Sequence, residues 1–227
     1  MVSTQSTGLS LAEPLERIRS GTPIITIGSL LKSIGNVILM MLIPSILKVL
    51  ANPRSIVHAI SGGIFAIVLS FIGFIVILVG LYTGLVPGVR RLSKIDDRFS
   101  TASTLIRIGY VWGMILLVIG IAIAVVGLIS YLPVVISRGR QFAVEPLAVL
   151  ATGAIMTIFS LILMLLGYIG IIILAFKFND VEHDGLYLAA GILFILGIFV
   201  PFATFVAWIL MYIALGKSIE RHKAPSQ

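Results

Sequence analysis

The feature that most constrains this chain is an uncharged stretch that runs from Ile108 to Ile136. Its 29 residues include no Asp, Glu, Lys or Arg. At ~1.5 Å of rise per residue an α-helix of this length measures on the order of 44 Å, whereas the hydrocarbon core of a bilayer is roughly 30 Å thick. The stretch therefore predicts a helix that crosses a membrane with residues to spare at each end.

Four further apolar runs accompany this stretch. Ala59–Val86 and Leu147–Phe176 are also uncharged, while Ile24–Leu50 and Leu186–Gly216 are less regular. With 59% apolar and 11% charged residues, the composition is that of a multi-span membrane protein. We predict an all-α integral membrane bundle of five transmembrane helices, a multi-pass protein of the cell membrane.

The predicted organisation has three parts. Residues 1–23 form a polar segment with a short interfacial helix, residues 24–216 form the bundle, and residues 217–227 form a basic tail. Between the second and third apolar runs, Val89–Arg107 alternates apolar and charged positions at helical spacing, which predicts an amphipathic helix on the membrane surface.

The first apolar run leaves two interpretations open. Ser29, Lys32, Ser33 and Asn36 recur along one helical face. A charge at mid-membrane costs roughly 2.5–3.5 kcal/mol unless it reaches the interface or faces a polar interior. The run is either a true span whose polar face lines the bundle interior, or an interfacial helix that leaves four spans.

The orientation of the bundle does not follow from the basic residues. Five spans place the two ends of the chain on opposite sides, and Lys and Arg then divide almost equally between the sides. The four-span alternative places both ends on one side and gives a stronger bias. Pro201 lies near the centre of the last run, where it predicts a kink within a single span.

Glycines recur at helical spacing in the uncharged runs. In lipid, helices associate by close backbone approach over small residues, because hydrophobicity does not drive them together. The glycines therefore predict packing faces. The predicted packing residues are Gly73, Gly80 and Gly84 in the second run, Gly109, Gly113, Gly120 and Gly127 in the third, and Gly167 in the fourth.

Little reactive chemistry is available at membrane depth. The chain has no cysteine, its three histidines fall in loops or at predicted helix ends, and the last four runs hold no ionisable group at depth. We predict no catalytic, cofactor or metal site, and no enzyme. The net charge of +7 is scattered over short connections, which favours an anionic lipid surface over a nucleic acid as the partner.

Two segments resemble known sequences. Gly88–Asp97 reads GVRRLSKIDD, and Leu188–Gly197 reads LAAGILFILG. Both are similar to archaeal membrane families that are described as domains of unknown function, and the resemblance covers about residues 60 to 216. It implies an archaeal multi-pass membrane protein and carries no activity or catalytic residue.

The packing faces and the absence of predicted chemistry favour a non-enzymatic role. We expect a packing or accessory component of the membrane or of a larger membrane complex, whose partners are the bilayer and other membrane proteins or copies of the chain. The alternative is a passive channel or uncoupled transporter of a small solute, lined by the polar face of the first run.

Overall fold

The computed structural model describes residues 11–49, 56–138 and 144–223. These residues are helical almost throughout, with short connections and no β-strand among them. The helices are α1 Ala12–Val49, α2 Ile56–Gly80, α3 Val86–Ile95, α4 Ser100–Arg107, α5 Gly113–Arg138, α6 Val144–Glu182, α7 Gly185–Leu196 and α8 Pro201–Lys223. Two π-helical turns, Leu81–Leu85 and Ile108–Trp112, join α2 to α3 and α4 to α5.

Five helical segments are long and apolar enough to cross a membrane. This confirms the prediction of an all-α bundle with five such helices, as expected of a membrane protein. The segments are Ala12–Leu42, Gly62–Ile95, Asp97–Ser130, Leu147–Glu182 and Pro201–Lys223. The apolar helix α7 has 12 residues and measures on the order of 18 Å, less than a hydrocarbon core of roughly 30 Å.

The residues that were expected to form one surface helix, Val89–Arg107, belong to two long helical segments. The first continues from α2 through a π-helical turn into α3 and ends at Ile95. Asp96 has an extended backbone, and its side chain accepts a hydrogen bond from the Arg98 N–H, so it starts a new helical segment. Leu92 on one side of this break and Phe99 on the other are both buried.

The structure comprises two compact units, which we call unit 1 and unit 2. Unit 2 is Thr101–Ile171, and unit 1 is the remainder of the described chain. In unit 2, α4 and α5 pack antiparallel against α6, since Gly109 meets Gly167 near one end of the pair and Gly127 meets Leu150 towards the other. Unit 2 is thus a helical hairpin.

In unit 1 the long helix α1 packs antiparallel along α2. Gly21 lies against Gly84, and Gly28 lies against Gly73. α1 continues without interruption through the predicted boundary at residue 23, although Pro23 cannot donate a backbone hydrogen bond. α8 likewise continues through the predicted boundary at residue 216. Residues 1–10 and 224–227 of the predicted end segments lie outside the described residues.

The last apolar run is not the single kinked span that the sequence predicts. It breaks at residues 197–200 into α7 and α8, and Pro201 is the first residue of α8. The two helices are antiparallel, because Tyr187 near the start of α7 contacts Ser218 near the end of α8. Nearer the turn, the rings of Phe194 and Trp208 are 5.0 Å apart.

This hairpin brings the two ends of the described chain together. Lys223 at the end of α8 forms an ion pair with Glu16 in the second turn of α1. Residues 16 and 223 therefore lie at the same end of unit 1, as the four-span alternative places the two ends and unlike five successive spans. The physical cause is the break before Pro201, which returns the chain to the end of unit 1 where α7 begins.

Candidate functional site

Two of the four predicted lining residues of α1 form hydrogen bonds with neighbouring helices. Ser29 and Ser33 are buried, each 4% exposed, and the Ser33 hydroxyl donates to the Pro201 carbonyl oxygen at 3.0 Å. The Asn36 side-chain oxygen accepts a hydrogen bond from the Ser70 hydroxyl at 3.4 Å. Lys32 is exposed. Ser33 thus contacts α8 and Asn36 contacts α2, so both residues tie α1 to neighbouring helices.

The predicted packing glycines of unit 2 lie in a close helix–helix contact. A Cβ atom placed on Gly109 would come within 2.2 Å of the Gly167 backbone nitrogen. A Cβ on Gly120 would come within 2.9 Å of the Thr157 nitrogen, and one on Gly127 within 2.6 Å of the Leu150 nitrogen. Gly113 faces the side chain of Met164 at 2.9 Å. A larger residue at Gly109, Gly120 or Gly127 would collide with the backbone of α6, whereas at Gly113 the Met164 side chain would have to move.

The predicted packing glycines of α2 lie against α1. A Cβ atom on Gly73 would come within 2.5 Å of the Lys32 nitrogen, and one on Gly80 within 2.8 Å of the Gly21 carbonyl oxygen. A Cβ atom on Gly84 would come within 2.4 Å of the Gly21 Cα atom. These contacts bring the backbones of the two helices together over several turns.

The sequence reasoning missed the α1 side of this contact. Gly21, Gly28 and Gly35 are seven residues apart, and each meets the α2 backbone or a residue on it. A seven-residue spacing keeps small residues on one helical face over two turns at a time. The polar residues of the first apolar run favoured its interpretation as a lining, although the seven-residue spacing of the glycines is visible in the sequence.

Several charged residues of unit 1 meet at one end, which we call the charged end. Two ion pairs connect separate helices there, Glu13 with Arg91 and Glu16 with Lys223. All four side chains are exposed, so each pair is worth ~0–1 kcal/mol. The pairs join the start of α1 to α3 on one side and to α8 on the other.

A second group of charges surrounds the start of α7. Asp184 caps α7 by accepting a hydrogen bond from the Leu186 N–H at 3.0 Å. Its other carboxylate oxygen lies 3.8 Å from Lys217 Nζ and 3.7 Å from Arg221 Nη2. Arg221 also donates to the Glu182 carbonyl oxygen at 3.0 Å. Two ion pairs to Asp184 and one charge-assisted hydrogen bond to Glu182 therefore join α8 to the connection between α6 and α7.

Asp96, before α4, and Tyr187, in the first turn of α7, have shifted pKa values. The hydrogen bond from the Arg98 side chain lowers the pKa of Asp96. Burial raises the pKa of Tyr187, although its hydrogen bond with Ser218 acts in the opposite direction. Both groups consequently keep their ordinary protonation states at neutral pH, with Asp96 ionised and Tyr187 neutral.

The comparison with protein families decides the classification of the chain. A family whose description reads "Protein of unknown function (DUF973)" matches residues 12–227, which is nearly the entire chain. The chain belongs to the DUF973 family. This agrees with the resemblance to families of unknown function and shows the family, not an activity. No curated protein and no solved structure matches this DUF973 chain.

The DUF973 match begins at the first residue of α1 and includes the charged end. Within residues 11–49, 56–138 and 144–223, no three His, Cys, Asp or Glu side chains are grouped as a metal site would require. What the described side chains of this DUF973 protein offer is close helix packing and a set of exposed charges at one end of unit 1.

Proposed function

We propose that this protein is a non-enzymatic, multi-pass component of an archaeal cell membrane. It serves as a packing or accessory subunit, and its partners are other integral membrane proteins or copies of itself. The glycine contacts carry the proposal. Gly109 on Gly167 in unit 2 and Gly84 on Gly21 in unit 1 hold helix pairs at backbone distance, which favours a rigid packing element.

The outward faces of these helices support the same proposal. Phe71 of α2 and Phe159 of α6 are 60% and 59% exposed, and many neighbouring exposed residues are Ile, Leu or Val. A face of this kind is compatible with lipid tails and with apolar helices of another membrane protein. In unit 1, exposed ion pairs such as Glu13 with Arg91 lie at the charged end.

Photo-crosslinking in intact membranes tests the proposal. A photoreactive phenylalanine analogue replaces Phe71 or Phe159, and replaces the buried Phe194 as the matched control. We expect one discrete protein adduct from at least one exposed position and none from position 194, with the partner identified by mass spectrometry. Lipid adducts alone from both exposed positions would contradict an accessory role.

The passive channel is the second candidate, because Ser33 on the polar face of α1 donates a hydrogen bond to Pro201 at the break between α7 and α8. The purified protein in vesicles separates the two functions. The accessory role predicts no flux of small neutral solutes above that of empty vesicles. Solute flux that Lys32→Ala changes at least severalfold, without loss of folded protein, would favour the channel.

A further inference from the structure

An open cavity of about 350 Å³ lies between α1 and α8 at the charged end of unit 1. Its wall includes Glu16, Arg19 and Ser20 from α1, and Tyr212 and Lys223 from α8. The cavity is open to solvent and has room for a phosphate group and the polar carbons attached to it.

The guanidinium group of Arg19 is held in place from two sides. Its Cζ atom lies 4.7 Å from the centroid of the Tyr212 ring, in a cation–π contact. Gly216 supplies the second side, because a Cβ atom there would come within 2.9 Å of Arg19 Nη2. The side chain is therefore oriented by α8 before any ligand arrives.

Arg19 has unused hydrogen-bonding capacity. Its Nε atom is buried and has no hydrogen-bond partner among the residues that the structure describes. A guanidinium stays charged in proteins and donates through Nε and Nη as a planar fork that matches two oxygens of a phosphate. The buried Nε leaves the hydrogen-bonding capacity of the guanidinium incompletely used, and Arg19 is one of the residues that line the cavity.

The charges around the cavity favour an anion. Glu16 is engaged in an ion pair with Lys223, so its negative charge is balanced within the wall. The charge of Arg19 then remains in excess. Pro23 and Ile219 also line the cavity and provide apolar surface beside the charged groups. A ligand that carries both a phosphate and an apolar portion fits this combination.

We propose that Arg19, oriented by Tyr212, binds the phosphate of an anionic phospholipid headgroup. The site lies at the charged end of unit 1, next to the apolar length of α1 and α8, where headgroups meet hydrocarbon in a bilayer. Lipid phosphate and free inorganic phosphate share the same recognised group. The proposal does not depend on the accessory role described above.

Binding to the purified full-length protein tests the site. Phosphatidylglycerol, phosphatidylcholine and inorganic phosphate are titrated separately, and bound lipid is counted by native mass spectrometry alongside the shift in melting temperature. Arg19→Gln removes the charge and the fork, and Arg19→Lys keeps the charge alone. Arg17→Gln is the matched control, because Arg17 is an exposed arginine on the same helix that does not line the cavity.

We expect phosphatidylglycerol to bind at least tenfold more weakly to Arg19→Gln, severalfold more weakly to Arg19→Lys, and equally well to Arg17→Gln and the parent. Gly216→Ala supplies a second variant, since its methyl group displaces the guanidinium without removing it. Equal binding by the parent and Arg19→Gln would overturn the site. Arg19-dependent binding of inorganic phosphate as tight as that of the lipid would overturn the lipid assignment.

Discussion

The hydroxyl oxygens of Tyr187 and Ser218 lie 2.9 Å apart in a buried contact that closes the hairpin of α7 and α8. The Tyr187 ring stacks on the ring of Phe178, with 5.0 Å between their centroids. The Phe178 ring is in turn 5.1 Å from the ring of Phe99. The segments that carry Phe99, Phe178 and Tyr187 therefore meet at one aromatic cluster. The contact of Tyr187 with Ser218 joins the start of α7 to the end of α8.

Removing the Tyr187 hydroxyl should weaken this hairpin. Tyr187→Phe leaves the Ser218 hydroxyl without its buried partner, so we expect a loss of about 1 kcal/mol in the free energy of unfolding. A double-mutant cycle with Ser218→Ala, read by unfolding in detergent, should give a coupling energy of about 1 kcal/mol. Strictly additive losses would show that the two hydroxyls do not interact.

The same pair predicts an alkaline dependence of stability. Burial raises the folded-state pKa of Tyr187 above the ~10 of an exposed tyrosine, so the neutral phenol is favoured in the fold. Its contribution is fully present below pH ~10 and is lost as the pH rises from there towards the folded pKa. Tyr187→Phe should remove this part of the alkaline loss. If Tyr187→Phe lost as much stability between pH 9 and 11 as the parent does, the assignment of this loss to Tyr187 would be contradicted.

Close glycine contact predicts opposite outcomes for two alanine substitutions. Gly109→Ala places a methyl group within 2.2 Å of the Gly167 backbone, so we expect a loss of about 1–3 kcal/mol in stability. Gly63→Ala is the matched control, since nothing lies within 4 Å of its Cβ position. It should be neutral or stabilising by up to about 1 kcal/mol. Thermal unfolding in detergent measures both, and equal melting temperatures would exclude a close contact at Gly109.

Asp184 combines a helix cap with two charge contacts, and two substitutions separate these roles. Asp184→Asn keeps a side-chain oxygen for the Leu186 N–H but removes the charge facing Lys217 and Arg221. Asp184→Ala removes both and should lose about 1 kcal/mol more than Asp184→Asn. Asp180→Asn is the control, because Asp180 is exposed and its ion pair is with Lys177 of its own helix, so the change in stability should stay within about 0.5 kcal/mol.

The hairpin also predicts which positions share one side of the membrane. The parent chain has no cysteine, so single cysteines at the exposed positions Ser100 and Glu220 can be labelled with a membrane-impermeant maleimide. We expect both to react from the same side, because both positions lie at the charged end of unit 1. Labelling from opposite sides would restore five successive crossings, with the two ends of the chain apart.

Much of the architecture was readable from residue type and spacing. The uncharged run Ile108–Ile136 lies within one helical segment, since α5 is preceded by α4 and a π-helical turn. Periodic glycines such as Gly109, Gly120 and Gly167 all occur where helices touch. These features are local, because the free energy of placing a segment in lipid depends on its own side chains and on its length.

The candidate sites depended on residues that are distant in sequence. No local pattern connects Arg19 with Tyr212 and Gly216. Lys32, in contrast, was predicted as a lining residue because it is a charge within an apolar run. A polar residue in α1 has the same local pattern whether it lines a space or binds a neighbouring helix. Only the neighbour tells these apart, as the hydrogen bond from Ser33 to Pro201 does.

By itself the sequence determined that this chain is a helical membrane protein with five helices long enough to span, and which glycines those helices carry. Only the tertiary structure decided that the last run folds back on itself and brings Lys223 to Glu16. A proline such as Pro201 can kink a helix or begin one. The choice between these depends on contacts such as Phe194 with Trp208 and Tyr187 with Ser218, which form only when α7 and α8 lie side by side.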